Sequence, residues 1–164
     1  MTNFKLKILF TILTLVWCGL IFWFSHQPSD ESVKYSSPIG DWVCEHLVDG
    51  YKDMPEPQKS SKHEDVIYAV RKMAHVIEYI ILGALVTATL VLWMKERFGL
   101  LFVLFMSCLF GAFYATTDEF HQSFVSGRSG ELRDVAIDSV GAFIGVLSVA
   151  FIILAVRWFG GKKH

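Results

Sequence analysis

Long apolar runs alternate with polar segments along this chain, and four of the runs are long enough to cross a bilayer. They cover residues 8–24, 73–94, 98–117 and 135–158. A transmembrane helix needs about 20 apolar residues, with a range of about 17 to 25. No small-residue cleavage site follows the first run, so it predicts a retained helix rather than a signal peptide. The pattern therefore predicts an all-α integral membrane protein with four transmembrane helices in a bundle.

Polar residues at the ends of these runs extend the predicted helices to about 5–24, 62–94, 98–122 and 131–158, in one membrane domain covering 1–164. The sequence Ser61-Lys62-His63-Glu64 matches a capping box, which places the start of helix two there. A polar extracytoplasmic loop is predicted for residues 25–61. Within it, Ser37 and Pro38 match an N-cap followed by proline at the first helical position, so a short surface helix and an irregular loop are the two alternatives for this part.

Composition and charge agree with a membrane location and exclude one class of partner. Hydrophobic residues make up 53% of the chain, which exceeds the usual share in a soluble domain. The formal net charge of −1 gives no reason to expect a nucleic-acid partner. Basic residues flank the ends of the runs on one side and predict that both termini are cytoplasmic: Lys5, Lys7, Lys95, Arg97, Arg157, Lys162 and Lys163.

Ionisable residues are concentrated where helices two, three and four meet the predicted outer surface, above all in the stretch "TTDEFHQSFVSGRSGELRD". Helix two carries Arg71, Lys72, His75, Glu78 and Tyr79; the end of helix three carries Asp118, Glu119, His121 and Gln122; the return segment and helix four carry Arg128, Arg133, Asp134 and Asp138. Residues three or four apart share one face of a helix, as Arg71, His75 and Glu78 do. Three polar faces are therefore predicted to converge in one outward-facing pocket.

Burial among helices is the reasonable outcome for these groups, because a charged residue deep in a bilayer costs about 2.5 to 3.5 kcal/mol on insertion scales. Small residues allow the helices to approach closely enough for this. Gly141 and Gly145 form a GxxxG pattern in helix four, and Gly83 precedes Thr87 by the same spacing in helix two. The spacing predicts close contacts between these helices.

The residues also resemble a known family. The segments "KMAHVIEYIILGAL", "DEFHQSFVSGRSGELRDVAIDSVGAFIG" and "FSHQPSDES" are similar to the VanZ family of small membrane proteins. The resemblance implies a multi-pass protein of the bacterial cell membrane and envelope. It also implies an influence on susceptibility to glycopeptides, since the family is named for a member that raises resistance to teicoplanin. Asp138 is a departure, because the family more often has asparagine there, and an extra acid would shift the ion preference of the pocket.

The first functional hypothesis is a pocket for an anionic headgroup, from a phospholipid or a lipid-linked cell-wall precursor. Arg71 and Lys72 would bind it on one side, and Arg128 and Arg133 near the start of helix four on the other. A competing interpretation is that these bases only form a salt-bridge network with neighbouring acids, which would fit a structural membrane protein or a small transporter. A transporter of four spans would need to form an oligomer.

The second hypothesis is a metal-dependent or acid–base enzyme acting on a phosphorylated lipid. His75 with Glu78, and Asp118 with His121, supply nitrogen and oxygen ligands at helical spacing and are the catalytic and metal-binding candidates. A divalent metal is the cofactor that this hypothesis requires. Supporting polar roles are predicted for Tyr79, Glu119, Gln122, Asp134 and Asp138.

Overall fold

The computed structural model describes residues 2–160, and within that range it is helical with no strands. The elements are α1 (Thr2–Ser25), α2 (Ser29–Leu47), a short 3₁₀ turn (Tyr51–Asp53), α3 (Glu56–Phe98), α4 (Leu100–Gln122) and α5 (Leu132–Gly160). Lys162 and Lys163, two of the basic residues that predict cytoplasmic termini, lie outside the described residues.

Four of the five helices, α1, α3, α4 and α5, are long and apolar enough to cross a membrane. This confirms the number and location of the predicted spans. Many of their large apolar side chains point outward, including Leu101 and Phe113, which are 83% and 66% exposed. A monomeric soluble protein rarely exposes contiguous apolar surface on this scale. These outer faces are suited to contact with lipid.

Helix α3 begins earlier than the sequence predicts. It starts at Glu56 and has 43 residues, which corresponds to about 64 Å at 1.5 Å per residue. The predicted capping box at Ser61 is wrong, because Ser61 lies inside the helix and Pro55 occupies the N-cap position. Pro57 fits the first turn, where a backbone N–H would have no acceptor within the helix. The helix therefore extends well beyond a hydrocarbon core of about 30 Å.

Helix α2 replaces most of the predicted loop. It begins at Ser29, so Pro38 lies inside the helix and not at its first position. The helix runs antiparallel to the first half of α3: Asp41 Oδ1 lies 2.7 Å from His63 Nε2, and a Cβ at Gly40 would lie 3.0 Å from the Ile67 side chain. The segment after α1 is thus mainly a helical hairpin with α3.

Helices α3 and α5 cross in direct backbone contact. A Cβ on Gly83 would lie 2.1 Å from the carbonyl oxygen of Ala142, and one on Gly145 would lie 2.1 Å from that of Ile80. Gly111 of α4 packs against the same residue of α5, since a Cβ on Gly111 would lie 2.6 Å from Ala142 Cβ. The small residues therefore have the packing role that their spacing predicts. They hold the middle of α5 against α3.

Helix α1 lies antiparallel to the membrane part of α3. Thr14 and Thr89 share a hydrogen bond of 2.9 Å between their hydroxyls, and the Trp17 indole N–H donates to the Glu78 carbonyl at 2.9 Å. This alignment brings the last residue of α1, Ser25, to the end of α4. The four spans thus present the end of α1, the middle of α3, the end of α4 and the start of α5 at one end of the bundle.

Candidate functional site

A polar cavity of about 170 Å³ lies at this end of the bundle. That is many times the roughly 10 to 15 Å³ that one water molecule needs by the same measure. We call it the polar cavity. Its lining residues are Ser29, Tyr68, Arg71, Lys72, His75, Glu119, Gln122, Gly127, Arg128, Ser129, Glu131, Asp134, Ile137 and Asp138. Most of the predicted site residues from all three segments therefore meet here.

A second cavity of about 240 Å³ adjoins the first and has a mainly apolar lining. We call it the apolar groove. It is lined by Phe24, Gln27, Ser32, Tyr35, Ser36, Ile39, Val70, Arg71, Ala74, His75, Glu78 and Arg128. Arg71, His75 and Arg128 line both spaces. The polar cavity and the apolar groove thus meet at two guanidinium groups and one imidazole.

The three cations of the site have different partners. Lys72 Nζ pairs with Asp134 Oδ2 and lies 5.3 Å from the centre of the Tyr68 ring. Arg71 has one long contact of 3.5 Å, from Nη1 to the Ser29 hydroxyl. Within residues 2–160, no carboxylate lies within ion-pair distance of Arg71 or Arg128. A salt-bridge network accounts for the lysine but not for the two arginines.

The Arg128 side chain donates hydrogen bonds to backbone carbonyls at the end of α1 and just after it. Its Nε donates to the Gln27 carbonyl at 2.8 Å and its Nη2 to the Phe24 carbonyl at 3.3 Å. Burial, followed by the nearby charge of Arg71, lowers the pKa of the Arg128 guanidinium. An arginine keeps its charge in spite of such a shift. Two incompletely compensated positive charges therefore lie close together beside the cavity.

Carboxylates and one imidazole form the inner part of the site. One ligand atom from each of His75, Asp118 and Asp138 lies within 4.8 Å of the others. Asp118 and Asp138 are only 4% and 2% exposed. Asp118 Oδ2 accepts hydrogen bonds from the Ser25 hydroxyl at 2.8 Å and from the Gln122 amide at 3.3 Å. Ser25 and Gln122 therefore fix the orientation of this carboxylate.

Several polar atoms around this group are buried without a protein partner. They are His75 Nδ1, Glu78 Oε2, Tyr79 Oη, Asp118 Oδ1 and Asp134 Oδ1. The first two lie 3.6 Å apart, which is too far for a hydrogen bond. Buried polar side chains usually have a partner, so each exception calls for an explanation. Here the exceptions are concentrated in three helices that meet at one site.

The first backbone donors of α5 do not face an open anion site. Glu119 Oε2 accepts a hydrogen bond of 3.0 Å from the Glu131 N–H, just before the helix begins. Gly130 allows this approach, since a Cβ there would lie 2.5 Å from the Glu119 carbonyl oxygen. The start of α5 thus binds a carboxylate of the chain itself. The arginine side chains remain as the donors available to a ligand.

The sequence profile of the VanZ/LLP1 family matches residues 10–154 of the 164. The chain belongs to the VanZ family. The match covers all four spans in whole or in large part, together with every residue of the polar cavity. No curated protein and no solved structure matches the chain significantly.

Two of the predicted site residues lie apart from the others in this VanZ-family chain. His121 Nε2 lies 3.2 Å from His26 Nδ1, and its ring packs 4.5 Å from that of Phe22. It therefore faces α1 and is not part of the group formed by His75 and Asp118. Arg133 is exposed and lines neither the polar cavity nor the apolar groove.

Sequence reasoning missed the contribution of the segment that follows α1. Ser25 binds Asp118, Ser29 lines the polar cavity, and Gln27 accepts a hydrogen bond from Arg128. The signal was present in the VanZ-like stretch "FSHQPSDES", to which no side-chain role was assigned. This segment connects α1 to the site and forms part of its wall.

Proposed function

We propose that this VanZ-family chain is a multi-pass protein of the bacterial cell membrane that binds an anionic headgroup in the polar cavity. The headgroup would carry a phosphate and belong to a phospholipid or a lipid-linked cell-wall precursor. One observation carries the proposal: Arg71 and Arg128 line the cavity without a carboxylate partner among the described residues. A half-buried cation without a partner is still unfavourable, so a bound anion accounts for both arginines.

Hydrogen-bond capacity supports the same ligand. A guanidinium has five N–H donors in a planar fork that matches the oxygens of a phosphate. Arg128 uses two of its nitrogens on backbone carbonyls, and Arg71 makes a single long contact. Donors remain on both side chains for a phosphate between them.

The apolar groove supports a lipid over a free phosphate. It adjoins the polar cavity at Arg71 and Arg128, and its other walls include Phe24, Ile39 and Val70. An amphiphile needs a charged site and an apolar site side by side, and this end of the bundle has both. The acyl or isoprenoid chain would lie in the groove while the phosphate contacts the arginines.

The proposed orientation places the cavity on the outer side of the membrane. Lys5, Lys7, Lys95, Arg97 and Arg157 lie at the opposite end of the bundle, and basic residues favour the cytoplasm. Both termini would then be cytoplasmic. An outward site meets the leaflet where cell-wall precursors are used, which would connect headgroup binding to glycopeptide susceptibility.

Binding of a fluorescent anionic lipid to the protein in a neutral detergent tests the proposal. Arg71→Gln is the sharper variant, because the Arg71 side chain gives up one long hydrogen bond of 3.5 Å, whereas Arg128 is bonded to two backbone carbonyls, and Arg133→Gln is the matched control. A charge-assisted hydrogen bond contributes about 1.5 to 3 kcal/mol, so Arg71→Gln should weaken binding roughly 10- to 100-fold. Equal binding by the two variants would refute the assignment of the cavity.

Competition identifies the source of the phosphate. An unlabelled anionic lipid should displace the probe at a far lower concentration than inorganic phosphate, because only the lipid fills the groove. Phosphatidylcholine should compete poorly, since its headgroup has no net charge. If inorganic phosphate competed as well as the lipid, the groove would have no role in binding.

A further inference from the structure

We propose that His75, Asp118 and Asp138 together bind one divalent transition-metal cation beside the polar cavity. The proposal does not depend on headgroup binding, because none of these three residues is one of the arginines that would hold the phosphate. It also differs from the ligand set expected from sequence, which included Glu78 and His121 and lacked Asp138.

The distances are close to those of a bound metal. One ligand atom from each residue lies within 4.8 Å of the other two. Metal–ligand bonds to histidine nitrogen and carboxylate oxygen are about 2.0 to 2.2 Å, so two ligands of one ion lie at most about 4.4 Å apart. A pair of atoms at the upper limit of 4.8 Å would need to approach by about 0.4 Å to bind one ion.

Buried polar atoms without a close hydrogen bond support a ligand independently of this spacing. Asp118 is 4% exposed, and its Oδ1 makes no close hydrogen bond, although the Tyr79 hydroxyl lies near this carboxylate. Its other oxygen is held by Ser25 and Gln122. Partners that orient a ligating carboxylate are a regular feature of metal sites. His75 Nδ1 is likewise buried without a hydrogen bond.

The charge balance at the site also favours a cation. Its carboxylates are Glu78, Asp118, Glu119, Glu131, Asp134 and Asp138, and its cationic side chains are Arg71, Lys72 and Arg128. With all of them ionised, the negative charges exceed the positive ones by three, and a divalent ion would reduce the excess to one. Protonation of several carboxylates is the competing explanation, and it predicts no metal.

The ligand types narrow the choice of metal. Imidazole suits zinc, iron and copper, whereas carboxylates also suit manganese and magnesium. A site of one imidazole and two carboxylates fits Zn²⁺, Mn²⁺ or Fe²⁺ better than it fits Mg²⁺ or Ca²⁺, which prefer oxygen ligands alone. Three protein ligands leave at least one coordination position open, as in catalytic zinc sites.

Metal analysis of the purified full chain tests the proposal. The protein would be extracted in neutral detergent with a tag that contains no histidine, stripped with a chelator, and titrated separately with Zn²⁺ and Mn²⁺. The wild type should bind one ion per chain of at least one of these metals. Asp138→Asn and His75→Ala should raise the dissociation constant by at least about tenfold, which is the lower limit for loss of a residue that only orients a metal ligand.

Matched controls make the result decisive. His121→Ala removes a histidine that faces His26, and it should leave the metal affinity unchanged. Arg71→Gln should weaken headgroup binding but retain the metal, which separates failure of this inference from failure of the proposed function. Size-exclusion profiles and helical circular dichroism identify any variant that has not folded, and Asp138→Asn changes the side-chain shape least.

Three results would overturn the inference. The first is a wild type that binds neither Zn²⁺ nor Mn²⁺ in a one-to-one ratio. The second is unchanged affinity in folded Asp138→Asn and folded His75→Ala. The third is a loss of metal in His121→Ala as large as that in His75→Ala.

Discussion

The contact between α3 and α5 has two parts with opposite character. In the middle of the bundle, Gly83 and Gly145 bring the two backbones together with no space for a Cβ. Near the polar cavity, the same two helices present His75 and Asp138, and α4 adds Asp118. One part is closely packed, and the other contains buried polar atoms without partners. The close backbone packing and the buried polar atoms without hydrogen bonds thus lie in different parts of the same pair of helices.

The difference shows how the protein tolerates such a site. A buried polar group without a hydrogen bond costs about 1 to 3 kcal/mol. Close packing of α3 and α5 in the middle of the bundle offsets this cost, although it does not contribute to the polar cavity itself. Functional sites commonly violate local rules that the rest of the structure obeys. The comparison therefore predicts that added volume in the closely packed part lowers stability, whereas removal of a buried negative charge near the polar cavity raises it.

The largest effect is expected in the closely packed part. Gly83→Ala places a Cβ 2.1 Å from the carbonyl oxygen of Ala142, so α3 and α5 must separate. Overpacking of this kind should cost more than about 3 kcal/mol. Thermal unfolding in detergent would measure the loss. Gly19→Ala is the control, because nothing lies within 4 Å of a Cβ there. Equal melting temperatures for both variants would contradict the described crossing.

An intermediate effect is expected for the ion pair between Lys72 and Asp134. Lys72→Met leaves Asp134 partly buried without its cation, which should cost about 1 to 3 kcal/mol. The control is Lys34→Met, whose pair with Glu31 is exposed and screened by solvent, so its loss should change stability little. Chemical unfolding of both variants would compare them. A larger loss in Lys34→Met would show that Asp134 does not depend on Lys72.

The smallest effect has the opposite sign. Without metal, Asp138→Asn removes one negative charge from a group of buried acids, so it should raise stability by up to about 1 kcal/mol. With metal present, the wild type should be the more stable protein. Melting temperatures measured with a chelator and with added Zn²⁺ or Mn²⁺ would show this reversal. A variant less stable than the wild type under both conditions would contradict it.

The sequence predicted the spans and much of the site for clear physical reasons. Apolar length determines which helices can cross a bilayer, so hydropathy located all four spans. Helical spacing placed Arg71 and His75 on one face of α3, and both line the polar cavity. The pattern of Gly141 and Gly145 indicated close packing, which the structure confirms.

Other features depended on tertiary contacts that spacing does not determine. Asp118 and His121 are three residues apart, yet one contacts Ser25 and the other contacts His26. Side chains three residues apart on a helix do not point in the same direction, so Asp118 and His121 contact different residues near the end of α1. The cap pattern at Ser61 predicts a later start for α3, but a local pattern does not prevent a helix from beginning earlier, and α3 continues back to Glu56.

Native mass spectrometry of the protein extracted gently from its own membrane tests the central claim most directly. It reads bound lipid in the wild type and in two single variants, Arg71→Gln and Arg133→Gln. The account predicts that the wild type and Arg133→Gln each retain an anionic phosphate-bearing lipid, and that Arg71→Gln loses it. Retention of the same lipid by all three proteins, or of neutral lipid alone, would contradict a headgroup site at the two arginines.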